Sequence, residues 1–319
     1  MRYYFLFSTF ILLCFSGCKQ EAIQLRFVVI SDTHFSPWSG HESVPKALKN
    51  LLQKEPLPDA VFVVGDLTEH GWPAEYDAFM ATFTDRSLVP EGLEVYLMTG
   101  NHDLGRILKA GDDPFEHMSA TERYMKKTGQ PLHQYVDIKG YPFVTVSMTA
   151  EDVLYSGLPE EEVRNRLYDE EALRFLEEKL AEAKRDHPGK PIFLFSHIGS
   201  SSSCFGTFPH EDGGQTQFPP ILDAYPEVVF FNGHSHFPIG DPRTIHQDRY
   251  TSINDGSVST LAGTKYFIPT PHTPQTNLTQ ISEGLIVNVW TDGRVEIERW
   301  DAARDEEILP RWQLEPPFD

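Results

Sequence analysis

Five short polar clusters along the chain carry side chains able to hold metal ions. They are Asp32-Thr33-His34, Gly65-Asp66, Gly100-Asn101-His102-Asp103, Ser196-His197 and Gly233-His234-Ser235-His236. Imidazole nitrogens and carboxylate oxygens suit Zn, Mn or Fe, and an asparagine adds a neutral carbonyl oxygen. Asp32, His34, Asp66, Asn101, His197, His234 and His236 are more ligands than one tetrahedral zinc accepts, and no cysteine pair stands with them. Two adjacent cations account for the excess if one carboxylate bridges them. Such a pair turns a shared water into hydroxide near neutral pH, so the chemistry open to this set is metal-assisted hydrolysis.

The clusters are far apart in sequence, and regular elements must bring them together. Each follows an apolar run, at 25–30, 60–64, 93–98, 191–195 and 228–231, that reads as a buried strand. Helical patterns lie between them at 44–53, 74–83 and 114–127. A longer one starts after Asp169, which can cap it, and sets Leu173, Leu176, Leu180 and Ala183 on one face. Strands alternating with helices predict a layered α/β core, and such cores place sites beyond the carboxyl ends of their strands. Lys139-Gly140 and Asp292-Gly293 predict hairpin turns. Further strands are expected at 265–268, 281–290 and 294–300, and residues 301–319 as an extended charged tail. No internal repeat or linker divides the chain, so a single domain over 25–300 is expected.

In order and spacing the five blocks closely resemble the calcineurin-like metallophosphoesterase family, over roughly residues 25–240. The resemblance implies that family's fold, a four-layer α/β/β/α sandwich with two central mixed β-sheets. It implies that Asp32, His34 and His236 hold one metal, that Asn101, His197 and His234 hold a second, and that Asp66 is shared. The tyrosine ligand of the purple acid phosphatase form is absent, since His34 takes the ordinary family position. Two divalent or mixed-valence ions of Mn, Fe or Zn are therefore expected rather than a charge-transfer Fe(III) centre. The family's Gly-Asn-His histidine acts on the leaving group, a role that falls to His102, with Asp103 expected to orient its ring. Gly65-Asp-Leu-Thr68, Ala74-Glu-Tyr76 and the Gly-Asn-His-Asp form are similar to the cyclic nucleotide phosphodiesterase branch and favour a phosphodiesterase. A phosphomonoesterase or nucleotide pyrophosphatase on the same site is the alternative, as is a phosphate-ligand-binding lipoprotein without catalysis. Trp38, His41 and Arg106, with Phe208 and His210 in the loop after His197, are candidates for a substrate rim.

The 319 residues include 47 Asp+Glu against 27 Lys+Arg, a formal net charge of −20. Phosphate backbones are bound through Lys and Arg, so genomic nucleic acid is excluded as a partner. The first residues are mostly apolar over 3–15, short of the roughly 20 needed to span a bilayer. They end in Phe15-Ser16-Gly17-Cys18, which resembles the lipobox of bacterial lipoproteins. Residues 1–17 are expected to be a lipoprotein signal peptide, Cys18 an acylated anchor to the membrane, and 18–24 a short tether. Removing 1–17 takes away only Arg2 among the charges, so −20 becomes −21. The expected location is the bacterial cell envelope, periplasmic or at the outer-membrane surface, with a small phosphate ester or lipid headgroup as substrate. Cys204 is then left without a disulfide partner and is expected to be an inert thiol.

Overall fold

The computed structural model of the protein describes residues 21–36, 43–105, 118–154, 156–211, 213–259, 282–315 and 318. The chain opens with β1 (Ile23–Ile30), α1 (Ser43–Leu52), β2 (Ala60–Val63), α2 (Pro73–Thr84) and β3 (Glu94–Leu97). Then come α3 (Ala120–Thr128), β4 (His133–Ile138), β5 (Tyr141–Val146), α4 (Glu151–Leu154), α5 (Glu160–Arg164), α6 (Glu170–Asp186) and β6 (Ile192–Phe195). The remainder is α7 (Pro219–Leu222), β7 (Val228–Asn232), β8 (Ile245–Gln247), β9 (Thr251–Asn254), β10 (Glu283–Trp290), β11 (Val295–Asp301) and β12 (Glu306–Leu314). Among the described residues the strands form two six-stranded sheets, ordered β12-β11-β10-β1-β2-β3 and β4-β5-β6-β7-β9-β8.

Both sheets are mixed. β1, β2 and β3 run parallel, as do β5, β6, β7 and β9, while β10 to β12, β4 and β8 join antiparallel. The alternation of side chains along β1 explains the layering. Phe27 and Val29 point between the sheets, among Phe62, Phe143, Phe193, Phe195 and Phe231. Val28 and Ile30 point the other way, into Leu48 and Leu51 of α1 and Phe79 of α2. On the second sheet Val144, Leu194 and Phe230 turn outward against Leu176 and Leu180 of α6. The result is the four-layer α/β/β/α sandwich. Phe62 stacks on Phe195 at 4.1 Å between centroids, and Phe27 meets the edge of Phe193 at 4.9 Å, so rings from both sheets lock the two layers together. Each fully buried ring is worth about 1.5–3 kcal/mol.

Local signals operate as expected at several ends. Asp169 accepts the Ala172 N–H at the start of α6. Lys139 and Gly140 take positive φ in the β4–β5 turn, and Asp292-Gly293 connects β10 to β11. Two expectations change. The helix anticipated over 114–127 runs, in its described part, from Ala120 behind a Ser119 cap to Gly129 in the left-handed region. The supposed tail beyond 300 contains β12, whose Ile308 and Leu314 are buried against β11. Ile308 and Leu314 are the buried positions of that strand, Trp312 packs half-buried against the same core, and Arg311 beside it pairs with Glu296 and Glu307. The expected strand at 265–268 lies outside the described residues.

Candidate metal centre

Parallel strands from both sheets end at one edge, and each candidate side chain sits two to five residues beyond an end. Asp32 and His34 follow β1, Asp66 follows β2 and Asn101-His102 follow β3, whereas His197 follows β6 and His234 and His236 follow β7. The loops that carry them turn sharply. Asp32, His34, Asp66, His234 and His236 have φ of 54°, 45°, 49°, 70° and 54°. An L-residue held in that region costs on the order of 1–3 kcal/mol, so the packing around it must fix the conformation. Close approach of the loops needs glycine. A Cβ on Gly65 would lie 2.6 Å from the His197 ring, and one on Gly100 would collide with the Asp66 carboxylate.

Three groups of ligand atoms result among the described residues: Asp32, His34, Asp66 and His236; Asp66, His197 and His234; and, beside them, His34, Glu69 and His102. Asp66 joins the first two. Its Oδ2 lies 3.1 Å from His197 Nε2 and 3.6 Å from His34 Nε2. Asp32 Oδ1 lies 3.0 Å from His236 Nε2 and 3.9 Å from His197 Nε2, while the Nε2 atoms of His34 and His236 are 3.1 Å apart. Each carboxylate has one oxygen engaged by the protein and one turned into the site. Asp66 Oδ1 accepts the His102 N–H at 2.9 Å, and Asp32 Oδ2 accepts the His234 N–H at 3.1 Å.

The tautomers follow from the acceptors. His197 Nδ1 donates to the Val64 carbonyl at 2.8 Å and His34 Nδ1 to Glu69 Oε2 at 2.8 Å, since neither acceptor has a proton to give. The lone pairs of both Nε2 atoms are therefore turned toward Asp32 and Asp66. Asp32 Oδ1, Asn101 Oδ1 and His197 Nε2 are buried without a hydrogen-bond partner. Asp32 Oδ1 and His197 Nε2 lie 3.9 Å apart, and orphaned buried ligand-type atoms so placed are what a bound cation would satisfy, so the residues fit the metals that their types imply. Electrostatics agrees. Burial alone would raise Asp66, but His197, with His102 and His34, outweighs it and holds the carboxyl far below its usual range. Burial would likewise lower His197, yet Asp66 and Asp32 push the ring up to about 10. The pocket demands positive charge.

The structure also corrects one assignment and supplies a residue. Asp103 does not orient His102. Its carboxylate accepts from the N–H groups of Leu67, Thr68 and Gly100 and from Thr68 Oγ1, tying the β2 and β3 loops together. Burial, then the neighbouring charge of Asp66, push Asp103 up to about 6. His102 Nδ1 instead donates to the Glu69 carbonyl at 2.8 Å, and the Glu69 carboxylate reaches His34. Glu69 escaped notice although it closes the same Gly65-Asp-Leu-Thr block. Phe208 and His210 pair with each other, 5.8 Å between centroids, and His210 is in none of the metal-capable groups among the described residues. Trp38, His41, Arg106 and Cys18 lie outside the described residues. Cys204 is buried and its thiol is pushed up to about 11, which makes it inert.

Comparisons place this architecture. The structure of purple acid phosphatase PPD1 from yellow lupin (Lupinus luteus) seeds is similar at 14% identity and a TM-score of 0.58, over 91% of this chain and 53% of that one. The chain thus spans about half the length of the lupin protein. GAP50, the anchor in the inner membrane complex of Plasmodium, is similar at 16% identity and a TM-score of 0.59, over 91% of this chain and 88% of that one. These likenesses are of fold. No curated protein matches the sequence. The model of calcineurin-like phosphoesterases matches residues 25–238, which contain every candidate ligand. With that match, and with His and Asp side chains placed to hold two divalent ions, the chain belongs to the calcineurin-like phosphoesterase family.

Proposed function

We propose that the protein is a metal-dependent hydrolase of phosphate esters and that its preferred substrates are phosphodiesters, cleaved by water in line with the leaving ester oxygen. Asp32, His34 and His236 would hold one ion, Asn101, His197 and His234 the other, and Asp66 both. Ions bound there supply Lewis acidity toward a phosphoryl oxygen and lower the pKa of water. The chain's own contribution to departure of the alcohol is His102. Its Nδ1–H is fixed on the Glu69 carbonyl, and its ring stands edge-on to His34 at 4.5 Å. In the protonated ring Nε2–H is the donor to the leaving oxygen: the P–O bond breaks, that oxygen takes the proton, and the alcohol leaves neutral. This fixed ring beside the ligands is the observation that carries ester hydrolysis, because an alkoxide is a poor leaving group without a proton, and the preference for diesters rests on charge. A diester also carries one negative charge fewer than a monoester toward a chain of net charge −20.

Among the described residues no helix is long and apolar enough to cross a membrane. On the leader motif we place the protein in the bacterial envelope, tethered through acylated Cys18, with soluble esters or lipid headgroups within reach. The test is metal analysis of the purified protein with a paired panel of phosphate monoesters and diesters. The expected result is faster turnover of diesters, and a loss of about 10²–10⁴-fold in His102→Ala with its metal retained. Equal rates on both ester classes would remove the diester preference, and metal-replete protein inert on the whole panel would remove the activity. Release of Cys18→Ala from membranes would support the tether.

A further inference from the structure

Beneath Asp32 lies a second buried acid that the reaction does not use. Asp255 follows β9, donates its N–H to the Asn232 carbonyl at 2.8 Å and is fully buried. Ser31 Oγ stands between the two acids, in a short hydrogen bond with Asp32 Oδ2, 2.6 Å from Asp255 Oδ1 and 3.3 Å from the Gly256 carbonyl. A serine hydroxyl has one proton. It can serve one carboxylate, and the other would then press a bare anionic oxygen against Oγ unless it brings a proton of its own. Asp32 is the wrong place for that proton. Its Oδ2 already accepts the His234 N–H, and its Oδ1 faces the imidazole nitrogens. Asp255 is the right place, because its Oδ2 is buried with no donor at all. An ionised carboxylate there would cost far more than a neutral acid.

We propose that Asp255 is held as the neutral acid and is a positioning residue for the metal ligand Asp32. Its Oδ1–H donates to Ser31 Oγ, the Ser31 hydroxyl donates to Asp32 Oδ2, and Asp32 is thereby fixed with Oδ1 toward the cation. Burial and the charge of Asp32 push the Asp255 carboxyl well above the usual range, against the pull of Ser31 and His197. The relay also keeps the Asp255 carboxyl from adding a further negative charge beside Asp32. The proposal rests on Asp32 being a ligand, and not on which ester is cleaved.

The test reads Mn²⁺ affinity, by titration followed through the paramagnetic signal of the free ion, independently of turnover. Asp255→Leu and Ser31→Ala each break the relay and are expected to weaken Mn²⁺ binding about 10–100-fold, with the double variant no worse than either alone. Asp255→Asn restores an N–H donor at the same charge and is expected to rescue the affinity. Undiminished affinity in Asp255→Leu, or an asparagine variant as weak as the leucine one, would overturn the relay. If the leucine variant fails to fold, infrared difference spectra of wild type against Asp255→Asn decide. Loss of a protonated carboxylic C=O band near neutral pH is expected, and its absence from the wild type would overturn the assignment.

Discussion

A histidine that binds a cation through one ring nitrogen needs a fixed acceptor for its other N–H, and the rings here use unlike ones. His197 uses a backbone carbonyl, whereas His34 uses the Glu69 carboxylate, which makes the opposite nitrogen more basic. Glu69→Ala is therefore expected to weaken metal binding about 10–100-fold, read by Mn²⁺ titration, and an unaltered affinity would show that the ring is held without it. Glu283 belongs to the same scale. Burial pushes it up to about 8, with the Ile239 N–H and Arg299 opposing and Asp301 assisting. Its folded value lies above its unfolded one near 4.5, so the neutral form favours the fold below that value, and the advantage is lost as pH rises toward 8. Stability should fall by up to about 1.4 kcal/mol per pH unit across that window. Glu283→Gln should flatten the slope in urea unfolding series, and parallel slopes would contradict the assignment.

Elements position the site through the ends of parallel strands, and the loops beyond those ends must nearly touch. Gly100 is where the β3 loop passes the β2 loop. A Cβ there would lie 2.5 Å from the Asp66 N and 2.7 Å from the His197 ring, in addition to the clash with the carboxylate. Gly100→Ala should destabilise the protein by about 1–3 kcal/mol and lower its metal content, measured by urea unfolding and elemental analysis. A stable, metal-replete alanine variant would mean that the loops can separate without moving Asp66. Asp103 acts at this scale too: its carboxylate staples Leu67 and Thr68 to Gly100, so it orders the loops rather than the chemistry.

Across the whole molecule the two sheets meet in an aromatic core, and neither sheet carries a complete ligand set. Asp32, Asp66 and Asn101 come from the first sheet, and His197, His234 and His236 from the second. A cation that binds between them holds the sheets together and binds the unfolded chain weakly. Chelation should then abolish turnover and lower the melting temperature, and free metal at about 100 times its dissociation constant should return about 2.7 kcal/mol of stability. A melting temperature indifferent to metal would show that the ligands do not converge on an ion in solution.

The ligand types, their order and the strands that present them could be read from the chain alone, because each ligand is covalently tied to the end of an apolar run. Adjacency does that work: once the run 60–63 is a strand, Asp66 must emerge at its end. What surrounds the ligands could not be read. Asp103 was assigned to its neighbour in sequence, yet its partners lie 35 and 36 residues away at Thr68 and Leu67. Asp255 and Ser31 are 224 residues apart and meet only because β9 is laid beside β7 and the two sheets are pressed together. The charges of β12 suggest a tail, and only the edge of β11 gives its Ile308, Trp312 and Leu314 a core to cover. Sequence determined which atoms could bind metal, since that is a property of side-chain chemistry. Tertiary structure decided which protons and backbone groups hold those atoms in place, since that depends on contacts between segments with no local relation.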